Sequence, residues 1–477
     1  MRLVLLFALY LYSSSAWPQS SQTLSRLLTD LENQALQIKA SENRQQADQI
    51  DLERSLYFLE PTAFLRGGYQ NVDTPPTSPF SPSNSTSNEL EFGLSKQWAS
   101  GFKTSLNYLL EDSQTQFPTR PDFNFISPTM SLSVETDIFQ DLIHKRYQNQ
   151  QLKNKWQKEV VDIESKIDKK NILVQGLLDF SMILEIQEEQ ELQKKLCQSI
   201  GKQSENLERK RKRGTVSQRE YLLGLKEFTN CQARIELLER NYLERTKGYS
   251  ARYNVSFEKY SSVETNQIFQ EASSVYESFN AEASQVDITN QDQVKVLSFQ
   301  GKGLQAQQKE LEARASNNLK LEVRSGLTGL DSTFQNSHEE MADMENPFVY
   351  VGLRIDFPIK DRDAQAQAGA NRFRMSALEK QKELSTLEKS NRFETLRETL
   401  KKDLAIYEKY KKTISYSLDI IKEANIDFEN GRIDFNTLTE FNKALIQDQK
   451  NFSSHRIQVI VRIVEYLDFF QFFDTYL

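Results

Sequence analysis

Gly352-Leu353-Arg354-Ile355-Asp356-Phe357-Pro358-Ile359 is where the chain changes its period. Leading into it, Val349-Tyr350-Val351-Gly352-Leu353-Arg354-Ile355 alternates residue by residue, the period of two that marks a strand with one apolar and one polar face. Beyond it, residues 363–429 hold apolar side chains at spacings of three and four, as at Phe393, Leu396, Leu400, Leu404 and Tyr407. Apart from Pro18, all prolines fall within 61–128 and 347–358. Proline costs about 3 kcal/mol inside a helix, so the proline-free stretches are free to form very long helices. The spacing predicts one over 363–429, roughly 100 Å long at 1.5 Å per residue.

The same change of period is written earlier in the chain. Asp137-Ile138-Phe139-Gln140 stands where Asp356-Phe357-Pro358-Ile359 stands later, and a second helical stretch, 141–212, follows it. The first long helix ends before Gly214 and the second before Gly431, glycine being the usual residue just past a helix end. Shorter helical stretches occupy 22–59, 218–247, 288–316 and 433–470. Added in pairs, they match a long helix in length. Further alternation appears at Ala63–Gln70, Leu90–Trp98, Phe102–Leu110, Met130-Ser131-Leu132-Ser133-Val134 and Leu319-Lys320-Leu321-Glu322-Val323-Arg324. The unit helix, strands, long helix, glycine turn, shorter helix is thus present twice, over 17–262 and 288–477. Residues 263–287 link the copies. Strands are expected within 62–138 and 318–358, with an inserted hairpin near 90–110 in the first copy. Pattern alone leaves a water-soluble sandwich and a membrane barrel both open. Two tandem coiled-coil hairpins with β caps also remain.

The 477 residues carry a net charge of −7, with 27% charged and 38% hydrophobic residues. No run of about 18 apolar residues occurs past the first dozen positions, which excludes a helical membrane transporter. Two cysteines and three dispersed histidines argue against a disulfide scaffold or a zinc framework, and the negative charge argues against a nucleic-acid partner. Met1-Arg2, the apolar run Leu3–Tyr12 and Ser13-Ser14-Ser15-Ala16 predict a secretory signal peptide over 1–16. Gly301-Lys302-Gly303 lacks the rest of a phosphate-binding loop, and His-Glu-x-x-His and Cys-x-x-Cys are missing. The reading is a non-enzyme without metal or cofactor.

In this order and spacing the segments resemble the TolC-like family of outer membrane efflux proteins. The resemblance is carried by the duplicated unit and by the tips Gly214-Thr215-Val216-Ser217-Gln218-Arg219-Glu220-Tyr221-Leu222 and Gly431-Arg432-Ile433-Asp434-Phe435-Asn436-Thr437-Leu438. Family members place Gly-x-x-[Ser/Ala]-x-x-[Asp/Glu] at each helical tip. The second tip departs from that pattern at Asp434 and Thr437. The resemblance implies an α+β chain forming a homotrimer in outer membrane lipid. Four strands from each chain would build a shared twelve-stranded barrel, continued by a helical tunnel through the periplasm. Trp98, Phe102, Tyr69 and Tyr108 are candidates for an interfacial aromatic belt. The implied function is the passive exit duct of a tripartite efflux pump or type I secretion system. Its partners would be a periplasmic adaptor protein and an inner-membrane transporter. A periplasmic adaptor and a coiled-coil spacer of the envelope are the competing readings.

Under the resemblance, Gly214, Thr215, Val216, Ser217, Gly431, Arg432, Ile433 and Asp434 would meet the adaptor. Glu220, Glu440 and Arg213 are candidates for an entrance gate, where an acidic ring favours cations. The run Arg209-Lys210-Arg211-Lys212-Arg213 is expected to pair with Asp427, Glu429 or Asp434 on the neighbouring tip, or with acidic groups of the adaptor. Cys197 and Cys231 stand equally far before and after Gly214, hence level in an antiparallel hairpin. In an oxidising compartment they are expected to form a disulfide.

Overall fold

The computed structural model describes residues 22–476 except 74, 76, 77, 79, 80, 82, 120, 261–262, 281–285, 317 and 357–361. The expected signal peptide and Phe357-Pro358-Ile359 lie outside the described residues. In chain order come α1 (Gln22–Gln34), α2 (Leu36–Arg54), β1 (Thr62–Asp73), β2 (Asn84–Gln97), β3 (Phe102–Gln116) and β4 (Phe123–Asp137). Then follow α3 (Arg146–Lys212), α4 (Gln218–Tyr253), α5 (Thr265–Asn280), α6 (Asp292–Arg314), β5 (Asn318–Thr328) and α7 (Phe334–Ala342). The chain finishes with β6 (Asn346–Asp356), α8 (Arg362–Glu429) and α9 (Phe435–Asp468). Among the described residues no helix is long and apolar enough to cross a membrane. The chain divides into two compact units: residues up to 45, 163–295 and from 384 onward in one, 46–162 and 296–383 in the other.

Among the described residues, the second of these units holds one antiparallel sheet of six strands, ordered β1-β2-β3-β4-β5-β6. This corrects the expected four strands per chain. The segment read as an insertion is β2 and β3, in the body of the sheet. Its register explains why: Leu90, Phe92 and Leu94 stand opposite Leu110, Tyr108 and Leu106. The next pairs are Leu106↔Leu132 and Tyr108↔Met130, so all these side chains share one face. β4 and β5, from the two copies of the repeat, pair from Thr129↔Thr328 to Asp137↔Lys320. Between β5 and β6 the short helix α7 folds back over the sheet. The His338 ring nitrogen Nε2 is 2.5 Å from the Tyr108 hydroxyl. Gly329 permits the approach, since a Cβ there would stand 1.7 Å from the Ser337 carbonyl oxygen. Elsewhere in this unit Trp156 stacks on Phe299 at 5.5 Å, and Asn371 donates to the Leu304 carbonyl at 3.0 Å.

The other unit is helical. Its core joins Leu27, Leu28 and Leu31 of α1 with Leu173, Phe180 and Ile183 of α3, and with Val459, Ile460 and Ile463 of α9. Residues 263–287, read as a link, contain a full helix: α5 buries Ile268, Phe269, Ala272, Val275 and Tyr276. Phe269 stacks on Tyr407 with ring centroids 4.0 Å apart, and Tyr276 meets Tyr466 edge-on at 5.1 Å. The apolar positions of α5 do recur at helical spacing, but the intervening Ser and Glu residues obscure it. The long helices α3 and α8 have 67 and 68 residues. The long run begins at Arg146 instead of 141, because a π-turn over Ile138–Ile143 comes first.

Candidate functional site

Both long helices end in the same cap. The Gly214 amide donates to the Arg211 carbonyl and the Thr215 amide to the Lys210 carbonyl, 2.9 and 3.0 Å. At the second tip Gly431 donates to Phe428 and Arg432 to Asp427, 3.1 and 2.8 Å. This paired pattern needs a left-handed residue, and Gly214 and Gly431 have φ of 75° and 74°. Three residues after each glycine the next helix is capped. Ser217 accepts from the Glu220 amide, and Glu220 accepts from the Ser217 amide, both at 3.2 Å. Asp434 accepts from the Thr437 amide at 2.8 Å and from its hydroxyl at 2.6 Å. The Thr437 bonds hold the Asp434 carboxyl below the usual aspartate range. Val216 and Ile433 close the turns from inside, packing with Tyr221, Leu438, Leu207, Phe428 and Phe435 in one apolar cluster.

This geometry redistributes the expected roles. Glu220 is engaged in starting its own helix. Asp427 pairs with Arg432 of its own tip at 3.1 Å, and Asp434 is the cap, so neither takes the basic run. Lys210 reaches the Phe428 carbonyl at 3.5 Å, Arg211 bonds Gln218 at 3.2 Å and covers the Tyr221 ring, and Lys212 pairs with Glu208. The cross-tip link therefore uses a helix-end carbonyl, which carries partial negative charge, in place of a carboxylate. Gly214, Thr215, Ser217, Gly431, Arg432, Arg213 and Glu440 are exposed. The expected disulfide is not formed. Cys197 and Cys231 are buried free thiols in contact, and Gln193 donates to the Cys231 sulfur at 3.2 Å. Burial pushes the Cys197 thiol up, which disfavours the thiolate that bridging requires.

The sheet has two unlike faces. On one lie Leu65, Tyr69, Phe92, Leu132, Val351 and Leu353, with exposures from 50% to 74%. On the other lie Arg66, Glu91, Ser133, Glu135, Lys320 and Arg324. Those charges pair across strands, Arg66 with Glu91 at 3.5 Å and Lys320 with Glu135 at 3.7 Å. Of the aromatic-belt candidates, Tyr69 stands on the apolar face and Tyr108 is taken up by His338. Trp98 and Phe102 close the β2–β3 turn, where the Trp98 amide donates to the Phe102 carbonyl at 2.7 Å.

No protein-family model and no curated protein matches the chain. Solved structures do. The outer membrane protein VceC of Vibrio cholerae superposes with a TM-score of 0.66, over 94% of this chain and 98% of its own, at 10% identity. The CmeC outer membrane channel of Campylobacter jejuni gives 0.66 over 94% and 85%, at 9% identity. The MtrE outer membrane channel of Neisseria gonorrhoeae gives 0.64 over 94% and 88%, at 8% identity. The chain has a TolC-like fold.

Within this TolC-like fold, two buried ion clusters had no signature in the sequence. Arg456, 1% exposed, bonds Glu185 at 2.5 Å and also Glu188. Lys170 holds Asp292 at 2.9 Å and Asp468 at 2.7 Å. Burial alone would lower the Lys170 pKa, but Asp468 and Asp292 hold it above the ordinary lysine value. Both clusters join helices from different repeats, and only residue spacing within one helix is legible in a sequence.

Proposed function

We propose that this chain is the passive exit duct of a tripartite efflux pump or type I secretion system, seated in the outer membrane as a homotrimer. The observation that carries the reading is the sheet. Its apolar face is exposed, its opposite face is charged and polar, and its edge strands β1 and β6 each pair on one side only. A face of that kind is stable in lipid, but open edges are not, so copies of the chain must complete a closed barrel. Strands of 11 to 15 residues suffice to cross the hydrocarbon. The long helix pairs continue as the periplasmic tunnel. A periplasmic adaptor meets the tips through Thr215 and Arg432, and the energy comes from an inner-membrane transporter. Glu440, exposed and without a partner among the described residues, lines the entrance and favours cations.

Planar-bilayer recording of the purified mature chain tests this, with detergent gels of unheated samples alongside. Discrete channels from a heat-resistant trimer are expected. Glu440→Ala is expected to lower the cation-to-anion permeability ratio about twofold while leaving the trimer intact. A soluble monomer without conductance would overturn the duct and favour an adaptor or spacer.

A further inference from the structure

The number of strands in the sheet limits the width of any ring that copies of this chain close. β1 and β6 each have one neighbour in the sheet. With six antiparallel strands in sequence order, the first and last run in opposite directions. The β6 of one copy therefore meets the β1 of the next as one more antiparallel pair. Their lengths agree, 12 residues for β1 and 11 for β6. Their outward residues continue the apolar face: Leu65 and Tyr69 on β1, Val349, Val351 and Leu353 on β6, all between 62% and 74% exposed. The occupant of each edge is thus a second copy of this chain.

We propose that three copies close an eighteen-stranded barrel whose outer mouth is sized for polypeptide carrying secondary structure. The proposal rests on the duct reading, which supplies the three-fold assembly. Strands about 4.8 Å apart and tilted by about 40° give a backbone diameter of roughly 36 Å for eighteen strands and roughly 24 Å for twelve. Side chains take up about 5 Å at each wall, leaving roughly 26 Å and roughly 14 Å. A helix with its side chains is about 10–12 Å across, so the narrower bore admits one and the wider admits two side by side. Barrels of 16–18 strands leave an aqueous channel, and Arg66, Glu91, Glu135 and Lys320 give this one a charged, hydrated wall.

The test compares the full chain with a variant lacking residues 74–122, which removes β2 and β3 and sets β1 beside β4 with antiparallel order kept. End-on electron micrographs of detergent-solubilised trimers are expected to give a ring of roughly 36 Å for the full chain and roughly 24 Å for the deletion. In bilayers, polyethylene glycol about 20 Å across, added on the outer side, is expected to enter the full-chain mouth and lower its conductance. The deletion should exclude it. Full-chain trimers with a ring of roughly 24 Å would overturn the wide mouth and leave the duct standing. A chain that forms neither trimer nor ring would remove the duct reading, and the barrel with it. If the deletion fails to fold, the full-chain diameter alone decides.

Discussion

Arg456 balances two carboxylates, Glu185 and Glu188, in the helical unit. It is buried with Glu185 at 2.5 Å, and Glu185 itself is 5% exposed. Removing one partner of such a pair strands the other charge, at a cost of about 3–5 kcal/mol. Arg456→Met is therefore expected to lower the denaturant midpoint strongly, and Arg456→Met with Glu185→Leu to recover much of the loss, read by urea unfolding in detergent. Glu185 lies 271 residues from Arg456, which explains why spacing gave no hint of the pair. Asp434 is a second sensitive point. Its pKa is lowered in the folded chain by the Thr437 hydrogen bonds, so its contribution is complete above the ordinary aspartate pKa. That contribution is lost only as pH falls through the depressed folded value. Asp434→Ala is expected to cost about 1 kcal/mol at neutral pH, measured as faster exchange of the Thr437 amide. The difference from wild type should vanish in strong acid. At Cys197 and Cys231, thiol labelling of unreduced, denatured protein is expected to count two reactive groups. A count of zero would restore the bridge that the level heights suggest.

At the scale of elements, the glycine turns are the best-determined pieces. Gly214 and Gly431 hold φ near 75°, and a β-branched residue in that conformation is strained by about 1–2 kcal/mol. Gly431→Val is expected to loosen the second tip without changing overall helicity. Susceptibility of the tip to added protease would register it. Gly329→Ala is expected to do more damage, since the added methyl would stand 1.7 Å from the Ser337 carbonyl oxygen, which is backbone and cannot swing aside as a side chain would. The yield of folded protein would report that loss. Helix ends were legible because proline and glycine act through local backbone geometry. Strand positions were legible for a similar reason: each strand has one apolar face, so period two survives in the sequence. What alternation could not convey was membership. Whether Asn84–Gln116 joins the sheet depends on partners across the register, such as Leu94↔Leu106 and Leu106↔Leu132, and no local pattern records that. The helix α5 was missed because its apolar stripe is interrupted by polar residues that face water.

For the molecule as a whole, the duplicated plan was readable because both halves use the same turn chemistry, down to a cap three residues beyond each glycine. The halves differ where, among the described residues, the first copy has four strands and the second has two. Their meeting line is β4 against β5. Thr129 and Thr328 bond through their hydroxyls at 3.0 Å across 199 residues of chain. The strands before that line are local hairpins, and pairing within them closes short loops. The line itself closes a loop containing the long helix α3 and the three helices α4 to α6, and that closure is slow and comes late. A chain emerging in sequence order therefore waits with a four-stranded apolar sheet lacking its last two strands. Until synthesis reaches β6, that incomplete sheet is an aggregation hazard. Folding of this chain should consequently depend on a holding chaperone that covers β1–β4, and stalling the chain before Asn318 should trap that complex.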